Sequence, residues 1–243
     1  MKKAIVILVC LLCFICSAYS ENAKAIIDKM EDVMDFDSMT FSGTMKNTDR
    51  LGVTSLSFDA SQRKNGDTLL SVTSGLDKGQ KILRLGDEIY IYYPDADEVI
   101  RLSDSGLKNS FLGSDFSYED LTGDDDYDAR YDYELIGEEQ FDGIDCYRVL
   151  FTAKKLSETY QREEMLIDKE RYVPLKQSLF SRSGKLLKDI YYSDYTDSMP
   201  LYPTSIRTQN AVKKSNHSEL LITELAFNKK LDESIFDKEE ISW

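Results

Sequence analysis

Hydrophobic positions along this chain change period once near the start and then hold the new one. Ile26, Ile27, Met30, Val33 and Met34 fall at i, i+1, i+4, i+7 and i+8. That spacing predicts an amphipathic helix, with Asn22 placed as its N-cap. From Ser38 the period is two: Met39, Phe41, Gly43 and Met45 share one face, with Thr40, Ser42, Thr44 and Lys46 on the other. A turn is expected at 48–50, and Leu56, Phe58 and Ala60 then alternate in the next strand. Asn65-Gly66 is a strong turn signal, and Leu70 and Val72 follow it. Residues 81–94 read as a hairpin around Gly86-Asp87, residues 95–97 as a turn, and 98–102 as another strand.

Strand-like alternation resumes at 131–136 and 146–153, and continues at 164–168, 172–180, 185–192, 201–208 and 219–227. Gly137, Gly143 and Ser183-Gly184 punctuate these segments, and Asp232 is placed to cap a final short helix packed by Ile235 and Phe236. The count is about eleven strands at the spacing of a meandering antiparallel sheet, which should curl toward a barrel. The fold class expected is mainly β with a few helices.

Residues 111–121 break the pattern. Gly113-Ser114-Asp115 reads as a turn, and Ser117 followed three residues later by Asp120 has the form of a capping box, with Asp in place of Glu. Phe111, Leu112, Phe116, Tyr118 and Leu121 then sit on a segment that is not a strand, and they require a sheet face or a cavity to pack against. The segment 123–128 after it is strongly acidic.

Composition narrows the picture. Lys2 and Lys3, the apolar run 4–16 and Ala18-Tyr19-Ser20 have the form of a cleaved export leader over residues 1–20. Residues 21–243 are left as one domain, since Pro and Gly are sparse and no low-complexity linker occurs. Cys10, Cys13 and Cys16 are preceded by Val9, Leu12 and Ile15, so a lipid anchor is the alternative to a cleaved leader rather than the first reading. Cys146 is the single thiol left after cleavage, in a strand-like run that suits a buried structural role. The formal charge of −14 becomes −16 when Lys2 and Lys3 leave with the leader. Such acidity argues against nucleic acid and disfavours rest on an anionic membrane.

Little in the chain supports catalysis. His217 is the one histidine and lies in the polar run 213–218, so a Ser–His arrangement would depend on it alone. Zinc sites need Cys and His clusters that are missing after processing. Asp124, Asp126 and Asp128 form D-x-D-x-D, but an EF-hand would need Gly at Ala129 and Glu at Leu135. No enzyme activity, metal or cofactor is expected. The surplus is instead aromatic and soft: 15 Tyr, 11 Phe and 7 Met, with Tyr90, Tyr92 and Tyr93 crowded on one strand and Tyr191, Tyr192 and Tyr195 on another. A curled sheet with these side chains can be filled or hollow, and periodicity leaves both open.

The run Gly113 to Leu121, together with Tyr93-Pro94, residues 143–149 and the ending 231–236, resembles the LolA-like outer-membrane lipoprotein-sorting protein family over essentially the whole chain after the leader. The resemblance implies an incomplete antiparallel β-barrel covered by helices. It implies a periplasmic carrier that binds lipoprotein acyl chains or another lipid and moves them from an inner-membrane transporter to an outer-membrane acceptor. A lipid-binding accessory or envelope-sensor module working with a membrane transporter is the alternative. A monomer is expected. The ligand-facing residues expected are Ile27, Met30 and Met34 from the first helix, Phe41, Met45, Leu56, Phe58, Leu70, Val72, Ile89 and Ile91 from the strands, and Phe116 from the insert.

Overall fold

A computed structural model of the chain describes residues 22–86, 88–102, 106, 108–122 and 127–242. The leader read at 1–20, Asp87 of the hairpin turn, and Asp124 and Asp126 lie outside the described residues. Helix α1 covers Ala23–Met34, and the Asn22 carboxamide accepts from the Lys24 amide at 3.1 Å, as the spacing indicated. Thirteen strands follow: β1 Ser38–Asp49, β2 Gly52–Arg63, β3 Thr68–Val72, β4 Lys81–Leu85, β5 Glu88–Tyr93, β6 Glu98–Leu102, β7 Tyr131–Phe141, β8 Ile144–Ala153, β9 Arg162–Asp168, β10 Pro174–Phe180, β11 Leu186–Tyr195, β12 Pro203–Asn210 and β13 His217–Phe227. Between β6 and β7 the described residues include a 3-10 turn (Phe111–Gly113), helix α2 (Tyr118–Thr122) and helix α3 (Tyr127–Arg130).

All thirteen strands form one antiparallel sheet, in the order β6-β5-β4-β3-β2-β1-β13-β12-β11-β10-β9-β8-β7. The sheet is two meanders joined where β1 pairs with β13, Gly43 opposite Ile222 and Met45 opposite Leu220. It is open, with β6 and β7 as its edges, which fits the incomplete barrel expected. The strand count exceeds the expected eleven. Each of the thirteen nonetheless overlaps a segment read as alternating or hairpin-forming, and short strands such as β3 are full members that pair on both sides. Strand β7 also runs past Gly137 to Phe141. That glycine does not end the strand; it absorbs a register shift after Leu135, and the true turn is Asp142-Gly143, both with positive φ.

One face of β1–β5 is continuous apolar core. Met45, Leu56, Phe58, Ala60, Leu70, Val72, Ile82, Ile89 and Ile91 are all buried, and they share a cluster with Leu179, Ile190, Leu220 and Ile222 from the other meander. Strands so far apart in the order meet only because the sheet curls, so this face is concave. Gly43 leaves the space that the Phe58 ring occupies, since a Cβ there would come within 2.6 Å of it. The outer face of β3–β5 is apolar too. Leu69, Leu83, Leu85, Tyr90 and Tyr92 are sealed by Phe236 and Ile241 of the C-terminal segment. Asp232 caps the 3-10 turn Glu233–Phe236 through the Ser234 amide at 3.0 Å.

Leaving β6, the chain stands at one edge of the sheet, and β7 is at the other. It crosses over the concave face. Phe111, Phe116 and Tyr118 drop into the core, with Phe111 edge-on to Phe58 (6.2 Å between centroids) and to Tyr118 (5.4 Å). The capping box read from sequence is present in both directions: the Asp120 amide donates to Ser117 Oγ (3.2 Å), and the Ser117 amide donates to Asp120 Oδ2 (2.6 Å). Replacing Phe116 with Ala should cost about 3–5 kcal/mol, read as a lower urea midpoint. An unchanged midpoint would show that the crossing segment is not part of the core.

Candidate functional site

Two segments lie on the concave face, and space remains between them. On one side α1 packs Ile26, Ile27 and Met30 against Tyr131, Val149, Phe151, Met165 and Ile167 of β7–β9. On the other side α2 is pinned by charge. Lys188 Nζ of β11 donates to Asp120 Oδ2 at 2.5 Å and to the Asp115 carbonyl at 3.0 Å. The Tyr160 hydroxyl donates to Asp120 Oδ1 at 2.7 Å. Ser218 Oγ of β13 accepts from the Asp115 amide, and Asn210 Nδ2 of β12 donates to its carboxylate. A buried charge needs such partners, so this cluster fixes where the crossing segment sits.

The gap is a cavity of about 500 Å³. Met30 and Met34 of α1 form one wall, and Leu121 and Tyr127 of the crossing segment another. Met165, Pro174, Tyr192 and Ile206 form the floor on β9–β12. Phe36, Gln62, Lys64, Gly66, Tyr202 and Pro203 surround it at one rim of the sheet. Charged groups at the edge are already engaged: Lys64 Nζ pairs with Asp35 at 2.6 Å, and Asp128 pairs with Lys24 at 2.8 Å.

Of the residues expected to face a ligand, Met30 and Met34 line this cavity. Ile27 lies beneath α1 against β8 and β9. Phe41, Met45, Leu56, Phe58, Leu70, Val72, Ile89, Ile91 and Phe116 come together in the other half of the concave face, where Phe116 and Phe111 pack over the strands. The concave interior is therefore filled on the β1–β5 side and hollow on the β9–β12 side. Sequence reasoning passed over Phe36, Tyr192, Tyr202 and Ile206. The signal available for Tyr192 was the aromatic crowding on β11. No periodic signal marks Phe36, which precedes β1, and Tyr202 falls in the alternating run 201–208 just ahead of the first residue of β12.

Beside the floor, on the same concave face, runs a buried polar chain. The Tyr192 hydroxyl donates to Gln177 Oε1 at 2.6 Å, and Gln177 Nε2 donates to Glu163 Oε2 at 2.6 Å. Tyr131 also hydrogen-bonds Glu163. Burial pushes the Glu163 carboxyl from an ordinary 4.5 up to about 7, against the hydrogen bonds from Tyr131 and Gln177 and the charge of Arg130, which pull it down. These groups satisfy one another, and Glu31, Asp35, Asp120 and Asp128 add carboxylates to the cavity lining.

The residues weighed for catalysis lie elsewhere. His217 opens β13 opposite Thr48, outside the cavity lining. Cys146 is buried with Leu166, Val173 and Leu175, and burial raises its thiol pKa. Asp128 is the one described member of the D-x-D-x-D run, and its carboxylate is held by Lys24. Among the described residues no cluster of His, Cys, Asp or Glu is arranged to hold a metal ion, and no helix is long and apolar enough to cross a membrane.

A family model described as "-like: Uncharacterized protein" matches residues 64–243. Comparison with curated proteins gives no match. Solved structures do match. A DUF1329 family protein from Desulfovibrio piger is 26% identical, with a TM-score of 0.81 over 90% of this chain and 98% of that one. An outer membrane lipoprotein-sorting protein domain from Vibrio parahaemolyticus is 21% identical, with a TM-score of 0.81 over 90% and 97%. A LolA superfamily protein from Nitrosomonas europaea is 22% identical, with a TM-score of 0.75 over 90% and 99%. The resemblance read from the sequence is thus borne out in the fold.

Glu163 gives the site a testable pH dependence. Its folded pKa lies above its unfolded one, so the protonated form favours folding. That stability is full below about pH 4.5 and is lost as pH rises to about 7, amounting to about 3 kcal/mol. Glu163→Gln should therefore raise the urea midpoint relative to the native chain at pH 8 and leave it little changed at pH 4.5. An equal shift at both pH values would contradict the assignment.

Proposed function

The chain belongs to the family matched over residues 64–243 and has the LolA-like fold, and we propose that it is an exported, non-enzymatic carrier of acyl chains. In this reading, residues 1–20 direct export and the carrier works in the periplasm. It takes the acyl chains of a lipoprotein or another lipid from an inner-membrane transporter and hands them to an outer-membrane acceptor. The observation that carries the proposal is the cavity between α1 and the floor of β9–β12, whose floor and methionine wall are apolar and aromatic and whose remaining lining includes charged groups.

Its size suits the task. At roughly 30 Å³ per water-sized group, about 500 Å³ holds on the order of sixteen methylenes, or one long acyl chain. Burying such a chain yields on the order of 10 kcal/mol gross. A carrier must also release its cargo, and the wall it offers is adaptable: Met30, Met34 and Met165 are unbranched and repack at small cost. Ile27 backs that wall. Phe41, Met45, Leu56, Phe58, Leu70, Val72, Ile89 and Ile91, packed with Phe116, make up the filled half of the same concave face and support the crossing-segment wall from the β1–β5 side.

The test is displacement of a fluorescent fatty acid by unlabelled palmitate, with Met34→Trp and Ile206→Trp as variants that fill the cavity. The native chain should bind one equivalent, and each variant should weaken binding at least tenfold while keeping its urea midpoint within about 1 kcal/mol of native. Binding that is absent in the native chain, or unaffected by both fillings, would overturn the proposal.

A further inference from the structure

The five most fully exposed aliphatic side chains among the described residues lie in or beside turns at one rim of the sheet, while Val99, Ile100, Ile136 and Leu221 are less exposed and lie on strands. In an antiparallel meander alternate turns share an end, so the turns β1–β2, β12–β13 and β10–β11 stand side by side along three adjacent hairpins. Leu51 is 96% exposed and Val53 67% on the first, and Val212 is 55% exposed on the second. Leu156 on the β8–β9 turn and Leu76 on the β3–β4 turn extend the same rim, exposed to 72% and 100%. None of these side chains has a packing role that would explain its exposure.

Charge at the three adjacent turns runs against the rest of the molecule, whereas the β5–β6 turn farther along the same rim is acidic, with Asp95, Asp97 and Glu98. The three adjacent turns carry Arg50, Lys213, Lys214, Arg182 and Lys185, all exposed, and one acid, Asp49. The Asp49 carboxylate is already occupied by the amides of Leu51 and Gly52. The chain as a whole is at −14. At the opposite rim, where Phe36, Lys64, Tyr202 and Pro203 edge the cavity, the turns are rich in Asp and Glu: Asp35, Asp37, Asp142, Asp145, Asp194 and Asp197.

We propose that the rim formed by the β1–β2, β12–β13 and β10–β11 turns docks on an anionic lipid bilayer, with Leu51, Val53 and Val212 entering the headgroup layer and the flanking Lys and Arg meeting lipid phosphates. Several small apolar tips on separate hairpins offer no groove for a protein segment, whereas a flat fluid surface can take them all together. Basic residues beside exposed aliphatics are the arrangement that interfacial anchoring requires. Net repulsion from the remaining charge keeps the attachment oriented and short-lived. Docked this way, the cavity rim points away from the bilayer and stays open to a soluble or projecting partner. The inference does not depend on what fills the cavity.

Co-flotation with vesicles of phosphatidylglycerol and phosphatidylcholine in equal parts, against pure phosphatidylcholine, tests it at low salt. The native chain should float with the anionic vesicles and not with the neutral ones, and 0.5 M salt should release it. Leu51→Asp should reduce flotation at least tenfold, and Lys213→Glu with Lys214→Glu by about fivefold per residue. Ile206→Trp, which fills the cavity, should float as the native chain does, so a failure here is separable from a failure of the carrier reading. An environment-sensitive label at Leu51→Cys should shift to the blue on anionic vesicles, while the same label at Met199→Cys on the opposite rim should not. Equal binding to both vesicle types, insensitivity to the tip variants, or a shift at Met199→Cys instead would overturn the proposal. Binding to soluble polyglutamate without flotation would also overturn it, assigning the rim to an acidic protein partner.

Discussion

The architecture follows from one topological demand: the chain must pass from one edge of a thirteen-stranded open sheet to the other. Two meanders meet only at β1 and β13, so the segment between β6 and β7 has the full width of the sheet to cross. An extended passage over the outside would leave Phe111, Phe116 and Tyr118 in water. Crossing the concave face buries them in the cluster formed by the strands. The ion pair of Asp120 with Lys188, joined by Tyr160 and the Ser117 amide, then sets how far the segment reaches toward β9–β12.

That limit is what leaves a cavity. The crossing segment fills the β1–β5 side, α1 lies over β7–β9, and neither spans the floor at Tyr192 and Ile206. Tyr192, Gln177, Glu163 and Tyr131 pair their polar atoms with one another on the concave face, and the space has an apolar and aromatic floor with Glu31, Asp35, Lys64, Asp120 and Asp128 also in its lining. Such a floor favours an alkyl chain over water. The methionines facing it are the side chains best suited to a guest of variable shape.

Much of this was legible in the sequence, and the parts that were not have physical causes. The period-two alternation at Met39–Met45 and Leu56–Ala60 located β1 and β2 because one of their faces is wholly buried. The capping box at Ser117 and Asp120 was visible because it is a local interaction. Gly137 misled because a glycine that absorbs a bulge and a glycine that ends a strand look alike in sequence. The division of the concave face into a filled and a hollow half was not legible at all. It depends on where Phe111 and Phe116 land across the sheet, and alternation reports only which way a side chain points. Phe36 comes from a connection, where no period exists to be read, and Tyr202 lies at the start of the alternating run 201–208, which marks a strand but not a cavity.

Native mass spectrometry of the protein, gently purified from the host that exports it, bears most directly on the carrier reading. The account expects a population heavier than the bare chain by the mass of an acylated molecule, lost on collisional activation and reduced in Ile206→Trp. A protein recovered only at its bare mass, which also stays bare after incubation with a diacylated peptide, would contradict it.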